Sequence, residues 1–175
     1  MAKSLEFINR TDITSASANV VISNVFSSKY DKYKIVFSNL TSIDSSGTHL
    51  SLRFHDGSST ITSNYNYCLM NQSCNISATA QVSSSNSYIL RFFGEMDGAS
   101  GQCTSGVGYV FNPFGSGYTF AQSMSAQDTS KNSGTSEIRF SHGVLRNSSS
   151  MTGFVLHNPN RNYDEGTIIT YGILE

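Results

Sequence analysis

The chain has 175 residues, a length that suits one domain able to bury roughly 70% of its unfolded surface. Its 11 basic and 12 acidic residues give a net charge of -1, so no strong field attracts nucleic acid or an anionic membrane. Charged residues make up only 13% of the chain. We therefore exclude nucleic-acid binding as the main role.

Alternating apolar residues predict β-strands along most of the chain. In chain order, the runs lie at 33–37, 50–54, 65–69, 76–80, 88–92, 107–111, 138–140, 154–156 and 169–173. Clusters of Gly, Asn, Asp and Ser separate them, and these residues favour turns. No window carries the apolar stripe of an amphipathic helix. About ten strands without crossover helices predict an all-β fold, an antiparallel β-sandwich of jelly-roll type over residues 1–175, with a barrel as the alternative.

The phase of each alternation predicts which side chains face the core. Twelve residues are expected to be buried: Ile35, Phe37, Leu50, Leu52, Phe54, Leu90, Phe92, Tyr109, Phe140, Phe154, Leu156 and Tyr171.

The sequence also indicates where the protein is made. The N-terminal segment MAKSLEFINRTD lacks the apolar core of a secretory signal, and no apolar run reaches the roughly 18 residues that a membrane helix needs. Three cysteines, Cys68, Cys74 and Cys103, match no zinc spacing and are an odd number. We expect a soluble, cytoplasmically assembled protein with reduced thiols and no cofactor.

Few residues have the spacing of a catalytic or metal site. Glu95 and Asp97, two residues apart, could point the same way and bind calcium, but Asp-Gly is expected in a turn such as 97–101. His49 and His55 lie too far apart on one strand to share a metal without a third ligand. No GxSxG motif is present. The sequence therefore predicts no enzyme and no catalytic or metal-ligating residue.

Several segments together resemble a known group of proteins. They are LEFINRTDITSASANVVISNVFSSKYDKYKIVFSNL, HLSLRFHD, SNYNY, YVFNPFGSGYTF and GVLRNSSSMTGFVLHNPNRNYDEGTIITYGI. They resemble the small tail-fibre or virion structural proteins of phages that infect marine bacteria. The ending "aromatic-x-x-G-T-I-x-x-Y-G-[IL]" of that group is matched by Tyr163, Gly166, Thr167, Ile168, Tyr171, Gly172 and Ile173. The resemblance covers nearly the whole chain, although residues 68–106 match poorly.

The resemblance implies a virion protein with a compact β-sandwich. Most members of that group carry the domain on a longer shaft or adaptor, whereas we expect this chain to be a freestanding copy of the domain. We expect a tail-fibre, tail accessory or capsid decoration protein on the particle exterior, acting through contacts with other virion proteins. Phage fibres are usually three-fold, so a homo-oligomer is expected, with a trimer as the first choice.

The alternative is a receptor-binding module that recognises a host surface glycan through loops at one end of the sandwich. Its candidate contact residues are Asp97, Asn112, Tyr118, Asn160 and Tyr163. A separate candidate is a strand surface that faces a neighbouring subunit, made by His49, Arg53 and His55.

Overall fold

A computed structural model describes residues 4–42, 48–73, 79–96, 102–128, 136–159 and 161–174. In this part of the chain there is no helix, and none therefore that could cross a membrane. The strands described are β1 (Leu5–Ile13), β2 (Asn19–Ile22), β3 (Lys32–Leu40), β4 (Thr48–His55), β5 (Tyr65–Ser73), β6 (Thr79–Asn86), β7 (Ile89–Met96), β8 (Thr104–Phe111), β9 (Thr119–Asp128), β10 (Ser136–Leu145), β11 (Gly153–His157) and β12 (Gly166–Ile173).

The strands form two antiparallel sheets packed face to face, which confirms the predicted all-β sandwich. The small sheet has the order β2-β11-β4-β7, and the large sheet has the order β1-β12-β3-β8-β9-β10-β5-β6. A jelly roll numbered from 1 to 8 sets strands 1-8-3-6 in one sheet and 2-7-4-5 in the other. Strands β1 to β4, β7, β8, β11 and β12 follow that order, and the large sheet continues beyond β8 with the β9–β10 hairpin and then β5 and β6.

The core lies between the sheets and is rich in aromatic side chains. Phe54, Phe92 and Phe154 are fully buried, and Phe93 packs edge-on against both Phe37 and Phe92. Nine of the twelve expected core residues are buried: Ile35, Phe37, Leu50, Leu52, Phe54, Leu90, Phe92, Phe154 and Leu156.

The other three predictions are wrong. On each of the three strands concerned, the alternation is as predicted, but the opposite set of residues faces the core. Tyr109 on β8 and Tyr171 on β12 are only partly buried, and Phe140 on β10 is 43% exposed. On β8 the inner positions are Gly106, Gly108 and Val110. A side chain at Gly108 would meet the ring of Phe92, so glycine makes room there for the aromatic core.

The two ends of the sandwich differ in their connections. One end, which we call the Asn112 end, joins β8 to β9 and β10 to β11. The opposite end, which we call the Glu95 end, joins β7 to β8 and β11 to β12. The register of the strands fixes this assignment, since Phe111 pairs with Phe120 and Thr104 pairs with Gln127.

Candidate functional site

The predicted contact loops do not converge. Asn112 and Tyr118 lie in the β8–β9 connection at the Asn112 end, where Asn112 Nδ2 donates to the Tyr118 carbonyl at 3.4 Å. Tyr163 lies in the β11–β12 connection at the Glu95 end. Asp97 and Asn160 fall outside the described residues. A single ligand site therefore cannot include both Tyr118 and Tyr163.

Tyr163 is also a core residue and not a surface residue, which corrects its prediction as a contact residue. Its side chain is 0% exposed. Its backbone exchanges hydrogen bonds with Ser17, at 2.8 and 3.1 Å. Burial raises the pKa of its hydroxyl well above the ordinary value. The sequence did not reveal this, because both neighbours of Tyr163, Asn162 and Asp164, are polar and the segment is predicted to be a loop.

The three β4 residues predicted to face a subunit are engaged within the chain. Arg53 Nε donates to the Ser87 carbonyl at 2.8 Å, and its guanidinium lies 5.7 Å from the centre of the Tyr88 ring. His55 Nδ1 accepts a hydrogen bond from the Gly57 amide at 3.0 Å. His49 joins the ionic cluster described next. Each of the three side chains therefore has a partner within its own chain.

A cluster of charged side chains links β7 to the β9–β10 hairpin at the Glu95 end. Arg139 bridges two carboxylates, with Nη1 2.6 Å from Glu95 and Nη2 2.7 Å from Glu137. Arg91 Nε lies 3.0 Å from Glu95 Oε2 and also 3.0 Å from His49 Nδ1. Arg139 is 2% exposed and the Glu95 side chain 15%. Sequence reasoning missed this cluster because its members come from three separate strands.

The charges in the cluster fix the protonation of Glu95. Burial alone would raise the pKa of this carboxyl, but the hydrogen bond with His49 and the charges of Arg139 and Arg91 outweigh it. Together they lower the pKa of Glu95 to about 2. A carboxylate held ionised between two guanidinium groups is a poor proton donor near neutral pH and has little capacity left for a calcium ion. Within the described residues, no group of three or more His, Cys, Asp and Glu could hold a metal ion.

The fold explains why charged and polar side chains gather between β7 and the hairpin. Strand β7 is the edge of the small sheet and packs over the inner face of the hairpin. The free backbone groups of an edge strand need partners. Gln127 Oε1 accepts from the Glu95 amide at 2.6 Å, and Ser141 Oγ donates to the Leu90 carbonyl at 3.0 Å. The inner face of the hairpin is therefore polar.

The opposite, outer face of the same hairpin is apolar. Large apolar side chains on β9, β10 and the adjacent β5 are between 43% and 51% exposed, and together we call them the outer apolar face: Met70, Phe120, Met124, Ile138 and Phe140. Among the residues of β8, β9, β10 and β5 whose side chains the structure describes, no outward-facing side chain is Asp, Glu, Lys or Arg. A hairpin that is polar inside and apolar outside reverses the usual arrangement of a sheet packed on a core.

A groove crosses the outer apolar face above β9. It has a volume of about 400 Å³ and is walled by Tyr109 and Phe140, with Met124 between them. Gln122 and His142, which pair directly across β9 and β10, supply its polar groups. The groove can receive an apolar or aromatic side chain, or the apolar face of a sugar ring.

The fold and this surface define a jelly-roll β-sandwich with an apolar outer sheet face. No protein-family model matches the chain, and comparisons with curated proteins and with solved structures also find no match.

Proposed function

We propose that this protein is a structural component of the exterior of a bacteriophage particle, either in the tail or as a capsid decoration. It acts through protein-protein contacts and carries out no chemical step. The phage setting rests on the resemblance of the N-terminal and C-terminal segments to small virion proteins. The mode of action rests on the surface of the large sheet.

The observation that carries the proposal is the reversed polarity of the β9–β10 hairpin. Five large apolar side chains are about half exposed on neighbouring strands, so water contacts an extended apolar area. Such patches on soluble proteins mark sites of contact with other proteins. Burying apolar surface contributes about 25 cal/mol per Å², so covering this face strongly favours association.

The proposal is tested on particles of the phage that encodes the chain. We expect mass spectrometry of purified particles to detect the protein in multiple copies, and labelled antibodies to bind intact particles in electron micrographs. The site of labelling, at the capsid or at the tail, assigns the location. Absence of the protein from purified particles, with normal expression in infected cells, would contradict the proposal.

The groove favours a second candidate function, recognition of a host surface glycan. Its aromatic walls, Tyr109 and Phe140, can stack on a sugar ring, while Gln122 and His142 offer hydrogen bonds. Binding on a glycan array that is lost in Tyr109→Ala, but retained in the Tyr118→Ala control at the Asn112 end, would support it. A chain that binds no glycan would exclude this second function.

A further inference from the structure

We propose that the partner covering the outer apolar face is a second copy of this chain, related by a two-fold axis that runs along the strands between β9 and β10. This inference rests on the proposed function, because it names the partner in the protein-protein contact. It follows from the register of the hairpin, the charge of the surface and the area available.

The register of the hairpin makes the face self-complementary. Across β9 and β10, Phe120 pairs with Val144, Gln122 with His142, Met124 with Phe140, and Ala126 with Ile138. A two-fold axis between these strands sets β9 of one copy over β10 of the other, at the same level along the strands. Each side chain then faces the equivalent of its own cross-strand neighbour, and every contact occurs twice, as an isologous interface requires.

Apolar residues therefore meet apolar residues, and the polar pair meets the polar pair. Met124 of one copy lies over Phe140 of the second, and the groove of each copy receives these side chains. Gln122 lies over the second copy's His142, where an amide and an imidazole can hydrogen-bond. No polar group in the middle of the contact is left against an apolar surface, which would be costly.

The same axis keeps like charges apart. The nearest lysines on the outer face, Lys32 and Lys34, are on β3, two strands from the hairpin. Under the two-fold axis, β3 of one copy lies over β6 of the other, at opposite margins of the contact. The lysines of the two copies do not meet, and they occupy the polar rim that surrounds the centre of a protein interface.

The area is sufficient for a stable dimer. Six neighbouring strands of the large sheet overlap their counterparts about this axis, namely β3, β8, β9, β10, β5 and β6. At about 4.8 Å per strand and about 3.4 Å per residue, the overlap measures about 29 by 24 Å, or about 700 Å². Stable complexes bury about 800 Å² on each partner, and sheets pack face to face in the same way inside sandwich proteins.

The first experiment is sedimentation velocity on the purified full chain over a range of concentrations. We expect the wild type to sediment at twice the 19.0 kDa mass of one chain. The double variant Met124→Ser, Phe140→Ser should weaken association by about tenfold or more, because it removes apolar side chains from the centre of the contact. Both residues are exposed within one chain, so its circular dichroism spectrum should be unchanged.

The matched control is Val21→Ser, since Val21 is 50% exposed on the small sheet, away from the contact. This control should sediment as the wild type does. A wild-type monomer, a three-fold mass, or a double variant that stays dimeric with wild-type affinity would overturn the two-fold pairing.

A second experiment tests the geometry without weakening the contact. In a background with Cys74 and Cys103 changed to Ser, one chain keeps Cys68 on β5 and the other carries Tyr109→Cys on β8 together with Cys68→Ser. The two positions lie at the same level three strands apart, so the proposed axis sets position 109 of one copy over position 68 of the other. A short bis-maleimide should cross-link the mixture more strongly than either variant alone, because only the mixture brings facing positions together. Equal cross-linking in all three samples would overturn the proposed axis.

The two proposals can fail separately. A monomeric chain that is still found on phage particles would overturn the second-copy inference and leave the proposed function standing. A two-fold dimer that is absent from particles would do the reverse.

Discussion

Glu95 couples the two layers of the sandwich through charge. Its carboxylate contacts Arg139 on the large sheet and Arg91 on its own strand, and both guanidinium groups are largely withdrawn from water. Arg91 adopts a positive φ of 53°, at the irregularity in the pairing of β4 with β7. The strained backbone turns this side chain toward Glu95, so the cluster depends on a local irregularity.

We predict that Glu95→Gln destabilises the protein by about 3 to 5 kcal/mol at pH 7, because it leaves Arg139 buried with one partner fewer. The pKa of Glu95 is lowered in the folded state from 4.5 to about 2. The ionised cluster therefore stabilises the fold above pH 4.5, and this contribution is lost as the pH falls toward 2. Urea unfolding measured between pH 2 and 7 should show a weaker acid dependence in the variant.

Asp12→Asn is the matched control, since Asp12 forms an exposed ion pair with Arg10. It should unfold much as the wild type does. A variant Glu95→Gln that unfolds no more readily than this control would show that the cluster contributes nothing.

We predict that Tyr163→Phe leaves stability unchanged or raises it by up to about 1 kcal/mol. The hydroxyl of Tyr163 is buried and has no hydrogen-bond partner among the described residues. Removing it relieves the cost of a buried polar atom while the ring keeps its packing. Thermal unfolding gives the measurement, with Tyr65→Phe as the contrast, because the Tyr65 hydroxyl accepts from the Phe54 amide at 2.8 Å. A large loss in Tyr163→Phe would reveal a partner for this hydroxyl.

Among the elements, β8 depends on glycine for its place in the sheet. A Cβ atom at Gly106 would meet the Met124 carbonyl oxygen of β9, and it would lie 2.7 Å from Phe37 Cζ. Backbone cannot move aside as a flexible side chain can. We predict that Gly106→Ala costs about 1 to 3 kcal/mol, the usual range for overpacking, as measured by urea unfolding.

Gly117→Ala is the control for this change, because its Cβ would approach only the Asn112 side-chain amide, at 2.9 Å. An amide on an exposed loop can rotate away, so stability should change little. Equal effects at the two glycines would show that the close approach of β8 and β9 does not limit the side chain.

The sequence predicted well the strands whose outer residues are polar. The alternation at Leu50, Leu52 and Phe54 gives the correct inner face of β4, because the side chains on that face are apolar and buried while those on the other face are polar. β9 was not predicted at all. Its inner residues, such as Ser123 and Ser125, are small and polar, so it shows no apolar alternation toward the core.

The polar inner face and apolar outer face of the β9–β10 hairpin also explain why the sequence assigns Phe140 to the core. Periodicity shows that Ile138 and Phe140 share one face, but it does not show which face the fold covers. That choice depends on the insertion of the hairpin beneath an edge strand, which is a property of the whole topology. The groove was missed for this reason, because the alternation assigns both of its aromatic walls, Tyr109 and Phe140, to the core.

At the scale of the molecule, no disulfide joins the cysteines that the structure describes, and Cys74 lies outside the described residues. Cys68 on β5 and Cys103 before β8 are both free. We predict that the triple variant with Cys68, Cys74 and Cys103 changed to Ser keeps a melting temperature close to that of the wild type, since no cross-link is lost. Calorimetry with and without reductant gives the measurement. A large decrease that reductant reproduces in the wild type would indicate a stabilising disulfide.

The position of β12 controls when the large sheet can close during synthesis. β12 lies between β1 and β3, although about 125 residues of chain separate the end of β3 from the start of β12. The backbone groups of β1 and β3 that pair with β12 stay unpaired until Gly166–Ile173 has left the ribosome. Closing so long a loop also slows folding. While these groups are unpaired, the strand edges can pair with neighbouring nascent chains, so chaperones that cover exposed strands should raise the yield of folded protein.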